Sequence, residues 1–174
     1  MDHENYGDEM IRETLKGVKR IAMVGASANP ARPSYLVLKY LAGRGFDMVA
    51  INPGLAGGEI LGVPVYARLA DVPGVIDMVD VFRNSEAAGG IVDEALALPV
   101  LPKVIWMQLT VRNDAAAARA EAMGLRVIMN RCPKIEYGRL SGEISWSGVN
   151  SRMLSSKKPQ MSGKGFQSLT IDQR

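Results

Sequence analysis

The stretch VGASANPARPSY, residues 24–35, contains residues suited to holding a phosphate group. Gly25 follows a predicted strand and lets the backbone turn tightly. The backbone N–H groups after it can face a phosphate at a helix N-terminus, and a proline suits the first turn of that helix. A guanidinium and hydroxyls nearby can bind phosphate oxygens. The candidate phosphate-binding residues are Gly25, Ser27, Arg32, Pro33 and Ser34. The alternative is that the two prolines only make a rigid turn.

A nicotinamide dinucleotide fits this loop poorly. The second and third glycines of the G-x-G-x-x-G pattern are replaced by Ser27 and Pro30. The next strand ends at Asn52-Pro53, where a dinucleotide site places a carboxylate for the ribose hydroxyls. No arginine for a 2′-phosphate stands there either. The pattern therefore disfavours NAD and, slightly less, NADP, whereas an adenine can still pack on Pro53.

Two further strand ends carry candidate ligand-facing residues. Phe82 and Arg83 follow a strand that ends at Val81, and each has an alternative role, in the core for Phe82 and as a solvated helix cap for Arg83. Gln108 follows Met107, at a place where an apolar strand would simply stop, so it is expected to face a ligand.

The single cysteine and the single histidine limit the chemistry. Cys132 excludes an internal disulfide framework and a cysteine-rich metal site. Its cationic neighbours Arg131 and Lys134 could lower the thiol pKa; the alternative is a buried small hydrophobic residue. His3 lies near the N-terminus, so histidine-based catalysis and a metal centre are not expected.

The composition is that of a globular domain. The 174 residues are 47% hydrophobic, and the net charge is +3, with much of the basic excess after Arg152. No apolar run approaches the roughly 20 residues of a membrane span, and the polar N-terminus is unlike a targeting peptide, so a cytoplasmic protein is expected. A mild positive charge does not predict a specific nucleic-acid partner.

Strands and helices alternate along the chain, which predicts an α/β fold: a Rossmann-like, doubly wound, three-layer domain. About five parallel strands are expected, in the order 3-2-1-4-5, with ligands bound outside their carboxyl ends. The predicted domain, 1–154, has a helix over 4–16 and an irregular segment over 133–154, followed by a disordered tail over 155–174. The expected strands are 20–24, 47–51, 75–81, 103–107 and 125–129, and 59–66 is taken as an irregular or extended piece.

Five ordered motifs resemble a known family: GASANPARPS, AINP, IDMVDVFRNSE, VIWMQL and NRCPKIE. The chain is similar to the small single-domain coenzyme A-binding proteins and to the coenzyme A-binding N-terminal domain of the succinyl-CoA synthetase alpha subunit. The likeness covers roughly residues 10–140 and includes the EISWSGVNS stretch. Two positions depart from the family pattern, which usually has aspartate where Asn130 stands and often glycine where Thr110 stands.

The resemblance implies where coenzyme A would lie. The phosphate loop would hold its phosphates, and Asn52 and Pro53 would lie beside its adenosine. The pantetheine arm would follow Val81, Phe82, Arg83, Met107 and Gln108, with Cys132 as a possible thiol site. The synthetase reaction needs a phosphorylated histidine on a further domain, for which this chain has no candidate.

The expected function is therefore binding or sensing of coenzyme A or acyl-CoA without catalysis. One alternative is an NAD(P)-dependent oxidoreductase on the same fold. Another is a structural or partner protein that docks through its basic tail. No membrane and no specific nucleic acid is expected as a partner.

Overall fold

A computed structural model describes residues 2–141 as a three-layer α/β domain, which confirms the predicted Rossmann-like class. Its helices are α1 (Asp8–Gly17), α2 (Pro33–Gly43), α3 (Ser85–Leu96), α4 (Asp114–Ala122) and α5 (Pro133–Leu140). Its strands are β1 (Arg20–Val24), β2 (Asp47–Ile51), β3 (Glu59–Ile60), β4 (Val63–Tyr66), β5 (Met78–Val81), β6 (Val104–Met107) and β7 (Arg126–Ile128). Short 3₁₀ turns lie at Pro53–Leu55 and Leu69–Asp71. No helix within this part of the chain is long and apolar enough to cross a bilayer.

The sheet has seven strands rather than about five, in the order β3-β4-β2-β1-β5-β6-β7. All pairs are parallel except β3 with β4. The predicted order is wrong in one respect: β5, expected outside β2, instead pairs with β1. The place outside β2 is taken by β4, from the piece expected to be irregular or extended.

A tight hairpin explains why this piece is hard to identify from sequence. Its strands have only two and four residues, and the second strand contains Pro64, a residue that is unusual in strands. Ile60 pairs with Val63, which leaves a two-residue turn of Leu61 and Gly62 with φ values of 55° and 75°. Such turns usually carry Asn-Gly or Gly-Gly, so Leu-Gly gives a weak hairpin signal.

Alternating strand residues serve two apolar cores on opposite faces of the sheet. Ala22, Val79 and Ile105 belong to the core that includes α3 and α4. Met23, Met78 and Trp106 belong to the core that includes α1 and α2. Both faces of the strands are therefore buried, as in parallel sheets covered by helices.

Charged groups tie the strands together at their amino ends. The Asp77 carboxylate accepts hydrogen bonds from the backbone N–H groups of Lys19 and Arg20, at 2.9 and 3.0 Å, and pairs with Lys103 at 2.8 Å. Arg20 also pairs with Asp47 at 2.6 Å. These contacts fix the starts of β1, β2, β5 and β6 relative to one another.

Two segments differ from the sequence prediction at their ends. The N-terminal helix begins at Asp8 rather than near residue 4, because Tyr6 is buried and its hydroxyl accepts a hydrogen bond from the Met129 N–H at 2.8 Å. The prediction of an irregular segment over 133–154 is wrong for its first eight residues, which form α5 from Pro133 onward. The remainder of that segment, the EISWSGVNS stretch and the predicted tail over 155–174 lie outside the described residues.

Candidate functional site

An open cleft with a volume of about 1440 Å³ lies at the carboxyl ends of the parallel strands. Its walls come from the loops that follow β1, β2, β4, β5 and β6, and from the starts of α2, α3 and α5. This is the edge at which doubly wound sheets bind ligands.

Gly25 ends β1 at a place where only glycine fits. Its φ is 90°, and a β-carbon there would lie 2.4 Å from the Phe82 carbonyl oxygen. The close approach is held by hydrogen bonds on both sides, from Gly25 N to the Ile51 carbonyl and from Phe82 N to the Val24 carbonyl. The loop backbone can therefore leave the sheet tightly against the end of β5.

Side chains hold the loop after Gly25 in one shape. Ser27 Oγ accepts a hydrogen bond from Asn29 N at 3.1 Å, and Asn29 Oδ1 accepts from Ala31 N at 2.9 Å. Asn52 Nδ2 donates to the Ala26 carbonyl at 2.8 Å. Within residues 2–141 the N–H groups of residues 26–28 have no acceptor, so they can bind an anion.

Basic side chains also line the cleft. Arg83, Arg68 and Lys134 line the cleft, and the Arg83 Cδ lies 3.3 Å from where a Gly25 β-carbon would be. Arg68 is paired with Asp71 at 2.9 Å. The one carboxylate on the lining, Glu94, accepts a hydrogen bond from Leu69 N at 2.7 Å. The cleft is therefore positively charged and suited to a polyanionic ligand.

Asn52 and Pro53 lie at the β2 end, on the side of the cleft near Arg68. Pro53 lines the cleft. Asn52 uses its amide for the protein itself, because Nδ2 bonds the Ala26 carbonyl and Oδ1 accepts from Gly54 N at 2.9 Å. Asn52 is therefore a support for the phosphate loop in this structure.

Large apolar side chains also line the cleft. Phe82 and Ile135 line it together with Leu36 and Leu109, which are 47% and 49% exposed. Large apolar side chains this exposed within a concave site suit an elongated, partly apolar ligand.

A mostly buried polar cluster adjoins the cleft. Gln108 and Cys132 line the cleft but are mostly buried, and Asp80 behind them is fully buried. Asp80 Oδ1 accepts a hydrogen bond from Gln108 Nε2 at 2.8 Å, while Asp80 Oδ2 has no partner within residues 2–141. Burial raises the pKa of Asp80 to about 7, although the Gln108 hydrogen bond acts in the opposite direction.

For Cys132 the structure favours the alternative of a buried small hydrophobic residue over a thiol activated by its cationic neighbours. Burial raises the pKa of the thiol to about 11, and the nearby Asp80 charge acts in the same direction. The backbone N–H groups at the start of α5 and the charge of Lys134 lower the pKa too little to offset burial. At neutral pH the thiol is therefore protonated and poorly nucleophilic.

The two departures from the family pattern lie side by side. Thr110 and Asn130 both have left-handed backbone conformations, with φ values of 69° and 53°. Thr110 N donates a hydrogen bond to Asn130 Oδ1 at 2.8 Å. A glycine would suit the first position because it adopts positive φ without strain.

The structure brings together some of the sequence-predicted site residues. Those that line the cleft are Gly25, Pro33, Pro53, Phe82, Arg83, Gln108 and Cys132. Those that do not line it are Ser27, Arg32, Ser34, Asn52, Val81 and Met107. Val81 and Met107 are fully buried core residues behind the cleft wall, and Ser34 is buried in the first turn of α2. Arg32 is exposed and immediately precedes α2.

Arg68 and Lys134 are basic lining residues that the sequence analysis did not assign to ligand binding, although it named Lys134 as a neighbour of Cys132. Arg68 follows β4 and Lys134 lies in the first turn of α5, two elements that the sequence did not predict as regular structure. The only local sequence signal for a role of these two positions in the cleft is that the residue is basic. Within the described residues, no group of three or more His, Cys, Asp or Glu side chains could hold a metal ion.

Comparisons with known proteins agree with this geometry. A family model described as a CoA binding domain matches residues 19–138. A Bacillus subtilis protein, uncharacterized protein YneT, is 35% identical over 134 residues, which cover 77% of this chain and 96% of that protein. A hypothetical protein from Pyrococcus horikoshii OT3 has 37% identity and a TM-score of 0.74, over 80% of this chain and 95% of that one. A Thermus thermophilus structure has 32% identity and a TM-score of 0.73, over 78% and 99%.

Proposed function

This chain belongs to the CoA binding domain family, and we propose that it binds coenzyme A or an acyl-CoA across the carboxyl ends of its parallel strands. The observation that carries the proposal is the lining of one cleft, with Arg68 and the Gly25 loop at the ends of β4 and β1 and the apolar side chains of Phe82 and Leu109 at the ends of β5 and β6. Coenzyme A likewise has phosphates on one half and a long, weakly polar arm on the other.

The basic lining residues suit the phosphates. The N–H groups of residues 26–28, which have no acceptor within residues 2–141, and Arg83 follow the adjacent strands β1 and β5. We assign the diphosphate to this loop, with Arg32 at its outer edge, the Ser27 hydroxyl beside it, and Ser34, buried in the first turn of α2, as a support for the loop. Arg68 and Pro53 lie on the β2–β4 side, where they suit the phosphorylated adenosine.

The apolar lining residues suit the pantetheine arm. Neighbouring strands lie about 4.8 Å apart, so an arm that starts at β1 passes β5 and reaches β6 within about 10 Å. Along this path lie Phe82, Leu109 and Ile135, and then Gln108 and Cys132. We assign Val81 and Met107 the supporting role that their burial indicates.

A nicotinamide dinucleotide is a weaker candidate for the same cleft. The residue at the end of β2 is Asn52, and both ends of its amide are occupied by Ala26 and Gly54. Its side chain is therefore engaged where a ribose diol needs a free acceptor.

We propose a binding or sensing role rather than catalysis. The only histidine, His3, is hydrogen-bonded to Tyr6 and lies outside the cleft lining. Cys132, the remaining nucleophile considered, has a raised pKa. We expect this role in the cytoplasm, where a lone reduced thiol such as Cys132 is common.

Isothermal titration calorimetry of the full chain with coenzyme A, acetyl-CoA, NAD and NADP tests the proposal. Binding of a coenzyme A species more tightly than either dinucleotide is expected. Gly45→Ala controls for the backbone strain of Gly25→Ala, because Gly45 also has positive φ, 88°, but lies outside the cleft, and binding is compared where circular dichroism shows both variants folded. Only the Gly25 variant should lose binding. No heat at high micromolar ligand, with circular dichroism showing a folded chain, would overturn the proposal.

A further inference from the structure

The buried pair of Asp80 and Gln108 has a feature that ligand binding as described above does not use. The Gln108 amide has two different ends, a donor Nε2 and an acceptor Oε1. Nε2 is committed to Asp80 Oδ1 at 2.8 Å. No donor within residues 2–141 reaches Oε1, and Gln108 lines the cleft. The end of the amide that is left for a ligand is therefore the acceptor.

We propose that Asp80 is a positioning residue that holds the Gln108 amide with its carbonyl toward the cleft, so that the site selects a ligand hydrogen-bond donor there. The inference rests on the proposed function, since coenzyme A offers such donors on its arm: two amide N–H groups and the terminal thiol. A carboxylate can only accept hydrogen bonds, so an ionised Asp80 permits one amide orientation. A neutral Asp80 can donate to Oε1, and the amide can then rotate to present Nε2 to the cleft.

The residues packed around Asp80 are mainly apolar, so its charge acts chiefly on the adjacent Gln108 amide. On the adjacent strands the register partners of Asp80 are Met23 and Trp106, which belong to an apolar core. Helix α2 covers the same core with Val37 and Leu38. The titratable group that interacts with Asp80 is the Cys132 thiol at the start of α5, beside Lys134. The orphaned Oδ2 leaves the carboxyl free to take up a proton without breaking a protein hydrogen bond.

Affinity should therefore rise with pH. A ligand that donates to Gln108 Oε1 favours the amide orientation that ionised Asp80 imposes, and so favours ionised Asp80. Because burial places the pKa of Asp80 at about 7, binding should tighten as the pH rises through that value. The gain is one hydrogen bond, about three- to tenfold in affinity.

The test measures affinity for dephospho-CoA between pH 5.5 and 8.5, because that ligand lacks the phosphate monoester that titrates in the same range. Wild-type affinity should rise about three- to tenfold. Asp80→Asn cannot ionise, and its profile should be flat. Equal slopes for the two proteins, or a flat wild-type profile, would overturn the inference.

A second pair of ligands identifies the donor. If the donor is the thiol, S-methyl-CoA should bind wild type more weakly than CoA does, and Gln108→Leu should bind both equally. If it is an arm amide, S-methylation should change little and Gln108→Leu should weaken both alike. Unchanged affinity of Gln108→Leu for both ligands would overturn the inference.

One readout needs neither ligand nor variant folding. The side-chain amide signals of Gln108 in a ¹⁵N–¹H spectrum of wild type should titrate with the Asp80 carboxyl; unchanged signals across this range would overturn the inference. If they titrate while no coenzyme A species binds, the Asp80–Gln108 coupling stands and the proposed function fails. If coenzyme A binds but the Gln108 amide signals do not titrate, the proposed function stands and the Asp80–Gln108 coupling fails.

Discussion

The backbone N–H of Thr110 donates a hydrogen bond of 2.8 Å to Asn130 Oδ1, and both residues have left-handed backbone conformations. This contact joins the loop after β6 to the loop after β7, next to the cleft. Asparagine tolerates positive φ better than other non-glycine residues, and here its side chain also supplies the acceptor. The aspartate usual in the family could supply an equivalent acceptor.

Substitutions of Asn130 should separate these two contributions. Asn130→Ala loses the hydrogen bond and gains left-handed strain, so the free energy of unfolding should fall by about 2 kcal/mol. Asn130→Gly loses only the hydrogen bond and should cost about 1 kcal/mol. Asn130→Asp keeps the acceptor and should stay within about 0.5 kcal/mol of wild type. Urea unfolding measures all three, and equal losses for alanine and glycine would refute the role of φ.

Gly25→Ala should be among the most damaging single-methyl changes. The new β-carbon would meet the Phe82 carbonyl at 2.4 Å, in addition to the strain of a φ near 90°. A loss of about 3 kcal/mol or more in unfolding free energy is expected. Gly45 has a φ of 88° and open space around it, so Gly45→Ala should cost only about 1 kcal/mol. Similar losses in urea unfolding would show that the contact with β5 is not what matters.

The β1–α2 unit is predicted well from the sequence because the signals for it are local. A strand followed by glycine and a helix that begins with proline identify the β1–α2 unit from a few adjacent residues. The β3–β4 hairpin and α5 carry weak local patterns, and their structure depends on contacts with distant residues such as those between Val65 and Ala50. The predicted strand order is wrong for the same reason. Because β4 is not predicted as a strand, the position beside β2 is given to β5.

Arg83→Ala should weaken coenzyme A binding by about 10- to 150-fold, the loss of a charge-assisted contact of about 1.5–3 kcal/mol. Arg32→Ala should weaken binding less, because Arg32 lies outside the cleft lining. Arg119 pairs with Asp93 at 2.8 Å away from the cleft, so Arg119→Ala is the charge-matched control. Calorimetry at two salt concentrations measures the three affinities. Equal losses for all three substitutions would show that long-range electrostatics, not a direct contact of Arg83, accounts for the effect.

Stability should depend on pH through Asp80. Its pKa is raised from the ordinary value near 3.8 to about 7, so the folded state holds the proton more tightly than the unfolded chain. The resulting stabilisation is fully present below about pH 3.8 and is lost as the pH rises through 7; its size is of order 4 kcal/mol.

Asp80→Asn removes this dependence. It should therefore raise the unfolding free energy relative to wild type at pH 8, and the gain should shrink toward pH 5. Urea unfolding at both values measures it. A difference in unfolding free energy between variant and wild type that does not change with pH would contradict the raised pKa of Asp80.

Cys132 should react slowly with thiol reagents. A thiol with a pKa of about 11 is almost wholly protonated at pH 7.5, and the side chain is 6% exposed. Its rate with iodoacetamide should fall at least tenfold below that of the urea-unfolded chain, which is the internal control. Equal rates would show an accessible thiol with an ordinary pKa and would contradict the raised pKa of Cys132.

The site could be predicted from the sequence only as a set of strand ends. Gln108 stands out because it is polar at the end of an apolar strand, and its expected position at the cleft agrees with the structure. Asp80 gives no such signal of its role, because a single acid within an apolar strand does not reveal which neighbour it contacts. The burial that raises the Cys132 pKa despite the cationic neighbours is likewise a property of the packed domain.

The charged network around Asp77 lies at the opposite end of the strands from the cleft. The strands are therefore aligned at their amino ends, where no ligand is expected, and the loops at their carboxyl ends do not have to align them. Homologous chains can diverge in their cleft residues while the frame stays in register, so ligand preference can drift between lineages faster than architecture does.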